Sequence, residues 1–348
     1  MLKAKKMTSI QIIKRCNELA IRGLGYTATN PNVGAVVYNH HENNILGEGY
    51  HQKYGSAHAE VNAINACHTE SFDKNTEIAV SLEPCNHFGK TPPCTLKIRN
   101  ASINRVMVDQ LDINPLMQGK SLEALRKHNI EVQGPINSNL GKQVLRPFYV
   151  QQTQTRPYIV IKMAISQDGY IGKEGQQTKI SNKLSDRWVH RWRSEVDAIL
   201  VGGNTLKNDN PSLNSRYHNI KNPIRVIVDK KNDLSPDLNI FKISGKNIIF
   251  NKERRSNNTN SKFITSSDLS MNNVMQLLYR ENIGSLMVEG GSKTVNEFLS
   301  QQLWDEIRII QNNKLLISNG VKAPDLFAMG RITFTKQLGN DTVYIIEK

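Results

Sequence analysis

Nowhere does the sequence carry an apolar run approaching the roughly 18 residues that a membrane-spanning helix requires, so a helical membrane protein is not expected. Cysteine is scarce and confined to the first third, at Cys16, Cys67, Cys85 and Cys94. Thiols gathered at one end cannot staple a chain of 348 residues, which argues against a secreted disulfide scaffold. A secretory signal is not expected either. Met1 to Lys6 is basic, but Thr8 to Ala20 is amphipathic rather than continuously apolar. A cytoplasmic location is therefore expected. No basic block interleaved with aromatics occurs, although Lys and Arg outnumber Asp and Glu by 45 to 31, for a net charge of +14. The excess is spread along the chain. It suits a phosphorylated small molecule, and without a concentrated patch nucleic-acid binding is not favoured.

What is present reads as two α/β domains, since 348 residues exceed one ordinary core. Ile10, Ile13, Cys16 and Ala20 fall at helical spacing and predict a helix over 8–23, capped by Thr8 or Ser9 and stopped by Gly23. Strands are predicted over 33–38 and 45–50, then helix 57–68, strand 77–82, helix 95–101, strand 105–108, helix 120–127 and strand 131–132. This first domain is expected over 1–148. The polar, aperiodic stretch 149–157 reads as a linker, and a second domain is expected over 156–348. There the pattern predicts strands at 158–164, 198–201, 224–228, 248–250, 286–288 and 307–311, with helices at 182–193, 274–281 and 295–299. The Asn-, Ser- and Lys-rich segment 230–270 reads mainly as exposed loops.

The chemistry-bearing residues are His58-Ala59-Glu60 and, beyond a predicted strand, Pro84-Cys85 and Cys94. One imidazole and two thiolates make three zinc ligands, and a three-ligand site keeps a position for water whose pKa the metal brings near neutrality. Glu60, two residues after His58 near a helix start, reaches such a water without ligating the metal. This is the zinc-deaminase arrangement, with the glutamate as general acid and base. It departs from the usual two-residue cysteine spacing by placing eight residues between Cys85 and Cys94. A structural zinc with His87 as fourth ligand, in a nucleotide-binding protein that is not an enzyme, is the competing reading. Another is a nucleic-acid base deaminase of the tRNA-editing kind. In the second half, Gly202-Gly203 and Gly290-Gly291 follow strands, and the latter pair leads into a helix whose N–H groups suit a phosphate.

Asn30-Pro31-Asn32-Val33-Gly34, His58-Ala59-Glu60-Val61 and the run from Leu82 to Cys94, with its Gly-Lys-Thr-Pro-Pro-Cys ending, resemble the bifunctional riboflavin-biosynthesis deaminase–reductases. The resemblance implies a cytidine-deaminase-like domain followed by a dihydrofolate-reductase-like domain. The first would deaminate 2,5-diamino-6-(ribosylamino)pyrimidinone 5′-phosphate with zinc. The second would use NADPH to reduce the ribosyl group to a ribityl chain. It further implies that Asn30, His51, His87, Lys90, Asp112 and Asn114 meet the deaminase substrate. Matches at Lys162 to Gly169, Asp197 to Gly202, Thr205 to Arg216 and Val288 to Gly291 carry it into the second half. There Lys162, Arg193, Leu213, Arg216 and Glu289 would meet substrate, and Ala164, Thr205, Asp209, Gly291, Ser292, Lys293, Thr294, Val295, Asn296 and Glu297 would meet NADPH. The second half also departs from the family pattern. Lys179 replaces a tryptophan, Gln167 a leucine, and Asn313-Lys314-Leu315-Leu316-Ile317-Ser318 lacks the proline and glycines of Pro-Lys-Leu-Leu-Gly-Gly. A deaminase with an impaired reductase is the alternative these changes raise. The sequence leaves room for a homo-oligomer.

Overall fold

A computed structural model describes residues 6–69, 72–89, 91–115, 117–176, 178–215 and 221–348, the side chain of Asn204 excepted. The chain divides into two compact units, Met1–Gln154 and Thr155–Lys348. No helix among the described residues is long and apolar enough to cross a membrane.

The first unit contains helices α1 (Ser9–Ala20), α2 (Ala59–Asn65), α3 (Cys94–Asn100), α4 (Lys120–Lys127) and α5 (Asn139–Gln154). Its strands are β1 (Gly34–Asn39), β2 (Asn44–Tyr50), β3 (Thr76–Leu82), β4 (Arg105–Gln110) and β5 (Glu131–Gln133), in the sheet order β2-β1-β3-β4-β5. Strands β1 and β2 pair antiparallel, β1 and β3 antiparallel, and β3, β4 and β5 parallel. Alternation along β1 explains the layering. Ala35 and Val37 join a core with Ala59, Ala63 and Ile98, whereas Val36 and Tyr38 pack on the other face with Ile12, Ile13 and Leu19. Thr8 caps α1 in a reciprocal box with Gln11, as its position predicted.

One expectation fails at the end of this unit. The stretch predicted as a linker is helical as far as Gln154, in a helix that contains Pro147. Polarity on its outer face hid the periodicity, and only Gly141, Val144, Leu145 and Gln151 are buried.

The second unit runs β6 (Tyr158–Ile165), β7 (Tyr170–Gly172), α6 (Lys183–Ser194), β8 (Ala198–Gly202), α7 (Gly203–Asp209), β9 (Ile224–Asp229), α8 (Asn239–Lys242), β10 (Asn247–Asn251), β11 (Ser261–Thr265), α9 (Met271–Arg280), β12 (Ser285–Val288), α10 (Ser292–Ser300), β13 (Glu306–Asn312), β14 (Val321–Lys322), β15 (Arg331–Leu338) and β16 (Asp341–Glu347). Nine strands form one sheet in the order β11-β10-β9-β8-β12-β6-β13-β16-β15. It is parallel from β11 to β13 and antiparallel thereafter. β6 therefore lies between β12 and β13, and their C-terminal ends share one edge, the side on which parallel sheets collect ligands. Segment 230–270 holds β10, β11 and α8 besides loops.

Candidate active sites

The first site is assembled on helix starts. His58 is the N-cap of α2, Glu60 lies in its first turn, and Cys94 opens α3. Helix α2 packs close to the sheet because β2 offers glycines: a Cβ on Gly49 would lie 2.3 Å from the Ala63 nitrogen and 2.5 Å from the Ala59 oxygen. His58 Nδ1 stands 3.5 Å from Cys85 Sγ and 3.3 Å from Cys94 Sγ. Zinc bonds of about 2.0–2.3 Å in a tetrahedron place neighbouring donor atoms roughly 3.5 Å apart, so this donor set fits one zinc ion. Among the described residues these three form the group of His, Cys, Asp and Glu donors close enough to share a metal, and His87 is not in it. Thr91 Oγ1 lies 3.4 Å from His58 Nε2 and steadies the ring from behind.

Within the group the two thiols shift in opposite directions. A hydrogen bond from Cys94, reinforced by His58 and the Cys94 N–H, draws the Cys85 thiol down to about 4. Cys94 moves the other way, raised because it shares a proton with Cys85 and is buried. Burial pushes Glu60 up to about 7, and the Cys85 charge adds to the effect. A carboxyl in that range is able both to take and to return a proton at neutral pH.

A cleft of about 310 Å³ opens over this group. Asn30, His51, His87 and Asp112 line it with Glu60, His58 and Cys85, together with Tyr54 and Phe148. Asn30 Nδ2 lies 3.1 Å from His51 Nε2, and His51 Nδ1 lies 3.2 Å from the Ala57 carbonyl. The carbonyl can only accept, so Nδ1 carries the proton and Nε2 accepts from Asn30. Burial lowers the His51 pKa and keeps the ring neutral. Asn114 is exposed, its N–H donating to Asp112 Oδ1 at 2.9 Å, and is not among the lining residues. Lys90 lies outside the described residues.

In the second unit Glu289, just past β12, accepts from Arg193 Nε at 2.7 Å and Nη2 at 2.8 Å, and Lys162 Nζ of β6 lies 3.8 Å away. Arg193 Nη1 also donates to the Asn214 carbonyl, beside buried Leu213 at φ +49°. Arg216 lies outside the described residues. Across the same edge, Thr205 Oγ1 accepts from the Gly291 N–H at 3.3 Å, tying α7 to the start of α10. A Cβ on Gly202 would meet Thr294 Oγ1 at 2.5 Å, and one on Gly290 would meet Thr294 Cβ at 2.7 Å. No side chain caps α10 at Gly291, so the first turn, from Ser292 to Thr294, presents its dipole to a ligand. These glycines make room for Thr294, and the uncapped helix start beside them suits a phosphate. Glu297 pairs with Lys230 at 3.1 Å, Asp209 ends α7, Val295 is buried, and Asn296 Nδ2 reaches Ser292 Oγ at 3.4 Å.

Residues 7–110 match the cytidine and deoxycytidylate deaminase zinc-binding region, and residues 157–333 match the RibD C-terminal domain. The chain belongs to the RibD family. The riboflavin biosynthesis protein RibD of Aquifex aeolicus is 35% identical over 90% of this chain and 89% of its own length. That of Escherichia coli is 30% identical over 88% of each. Among solved structures, the diaminohydroxyphosphoribosylaminopyrimidine deaminase/5-amino-6-(5-phosphoribosylamino)uracil reductase of Thermotoga maritima superposes with a TM-score of 0.87 at 32% identity, covering 97% of both chains. Acinetobacter baumannii RibD gives 0.85 at 28% identity, again covering 97% of both. A RibD chain joins a cytidine-deaminase-like domain to a dihydrofolate-reductase-like domain, and it uses zinc and NADPH. This one is a bifunctional enzyme of riboflavin biosynthesis.

Some contributors escaped the sequence reading of this RibD chain. Glu83 is buried, and its carboxylate accepts from the N–H groups of Asp112, Gly119 and Ser121 and from the Ser121 hydroxyl at 2.6 Å. It fixes the loop that carries Asp112. An acid beside Pro84-Cys85 at a strand end was the available signal. Phe148 and Tyr54 carried none, because cleft-lining aromatics look like any others in sequence.

Proposed function

We propose that the deaminase works in residues 1–148 and the reductase in 156–348, on a phosphorylated pyrimidine nucleotide passed through two consecutive steps. His58, Cys85 and Cys94 would hold the zinc, which when bound would supply the Lewis acidity that makes a water nucleophilic near neutral pH. Glu60 takes the proton from that water and returns it to the departing amine, the ring carbon exchanging nitrogen for oxygen. Asn30, His51, His87, Lys90, Asp112 and Asn114 receive the diaminopyrimidine. His51, held as the neutral tautomer, orients the Asn30 amide toward the ring.

In the second half NADPH, when bound, would supply a hydride for the anomeric carbon of the opened, imine-like sugar, the imine nitrogen taking a proton from solvent. Ala164, Thr205, Asp209 and the turn from Gly291 to Glu297 receive the cofactor. Lys162, Arg193, Leu213, Arg216 and Glu289 receive the substrate, whose phosphate suits the planar fork of an arginine. A cytoplasmic location fits an enzyme that draws on NADPH and keeps two thiolates reduced. Association of the chain with itself belongs to the same proposal.

The deaminase reading is carried by the spacing of His58 Nδ1 from both sulfurs, with buried Glu60 two residues away. Glu60→Ala is expected to retain zinc, measured by metal analysis, while ammonia release falls by roughly 10²–10⁴-fold. Substantial residual turnover rejects the proton-carrier role. Stripping zinc with a chelator is expected to stop ammonia release while leaving NADPH oxidation on the deaminated nucleotide intact.

A further inference from the structure

Ser318 stands at φ +63°, in the left-handed region that a side chain disfavours, at a position where the family pattern expects glycine. Another residue holds its backbone there. The Ser318 N–H donates to Asp168 Oδ2 at 2.7 Å, and the Ile317 N–H lies 3.2 Å from both oxygens of the same carboxylate. The Ser166 hydroxyl donates to Asp168 Oδ1 at 2.6 Å and accepts from the Tyr170 N–H at 2.9 Å. Around this centre the two loops are joined twice more, by Gln167 N–H to Leu315 O and by Ala323 N–H to Gly169 O, both at 2.9 Å. Strands β7 and β14 extend the seam.

The clasp sits beside the reductive machinery. Its two loops leave β6 and β13, parallel neighbours in which Ala164 is level with Ile310 and Lys162 with Arg308. Ser166 begins its loop two residues beyond Ala164. On the other flank of β6, β12 delivers Glu289 and Gly291 to the same sheet edge. The segment 315–318 therefore follows β13 at the same sheet edge that the 289–291 turn reaches from β12.

We propose that Asp168 is a positioning residue for the reduction: by gripping the Ile317 and Ser318 amides it sets one wall of the crevice for NADPH and the ribosyl group. Its charge-assisted hydrogen bonds hold Ser318 in the left-handed region. The inference rests on the reductase reading above.

The test uses the full-length, zinc-loaded chain with Asp168→Asn, alone and combined with Ser318→Gly. Hydrogen exchange of the 313–320 segment, NADPH affinity by equilibrium titration, reductase kcat and KM, and deaminase turnover are measured together. Asp168→Asn is expected to speed exchange in that segment and to weaken NADPH binding and reductase kcat/KM about tenfold, the size of a lost charge-assisted bond. Deaminase turnover stays unchanged. Adding Ser318→Gly recovers part of the loss, because glycine takes a positive φ without a Cβ clash. Faster exchange with unaltered reductase constants and NADPH affinity overturns the proposal, as does a parallel fall in both activities or a double variant no better than the single one. If the wild-type chain reduces nothing, the reductase reading fails by itself, and exchange with NADPH titration still decides the role of Asp168.

Discussion

Glu289 shows how a largely enclosed charge is kept by opposite ones. Burial works against its carboxylate, but Arg193 and Lys162 hold it down to about 2, against an ordinary 4.5. Burial also works against Arg193, which Glu289 nonetheless raises, while Lys162 is lowered because desolvation wins there. A carboxyl with a depressed folded-state pKa stabilises the fold fully above its unfolded value and loses that contribution as pH falls through the folded one. The second unit is therefore expected to lose about 3 kcal/mol between pH 4.5 and about 2, read as its unfolding midpoint against pH. Glu289→Gln leaves two largely enclosed cations without a counter-charge. It should cost roughly 3–5 kcal/mol at neutral pH and flatten that acid limb. The residues of this triad were legible from the family resemblance, whereas their mutual grip was not, since Lys162, Arg193 and Glu289 are far apart in sequence and meet only in the fold.

Among elements, α2 carries the most chemistry for its length. Seven residues place His58 at the cap and Glu60 in the first turn, and their position depends on how closely α2 approaches β2. Gly49→Ala puts a carbon against the α2 backbone, so the helix must shift to accept it. A loss of about 1–3 kcal/mol in the first unit is expected. Because catalytic geometry is less tolerant than stability, ammonia release should fall more steeply than the unfolding midpoint, with the reductase on pre-deaminated substrate unaffected. Equal loss of both activities would count against this. Helix α2 was legible because a His-x-Glu start precedes an apolar periodic run. Helix α5 was not. Pro147 reads as a stop, and the polar residues after it suggested a linker, yet this helix brings Phe148 to the cleft.

For the molecule as a whole, two cores and two chemistries in one chain predict separable lesions. Supplied with the diaminopyrimidine nucleotide and NADPH, the wild-type chain should yield a product with one ring amine exchanged for oxygen and two hydrogens added, identified by mass. Without NADPH the deaminated, unreduced nucleotide should accumulate. Glu60→Ala should block the first step and still reduce the deaminated nucleotide. A chain that deaminates but never reduces would confine the function to the first unit.

The sequence by itself singled out His58, Cys85 and Cys94 as a metal-binding set with Glu60 beside it, and most strands and helices. Local patterns encode these: fixed spacing between ligands, caps before apolar runs, and alternation along buried strands. Tertiary structure alone decided that Nδ1 of His58 faces both sulfurs, that Glu83 anchors the Asp112 loop, and that Asp168 clasps Ile317 and Ser318. Each joins segments remote in the chain, 27 to 150 residues apart. Pairing at that separation is settled by how strands order in a sheet and which loops share an edge, and no local pattern records it.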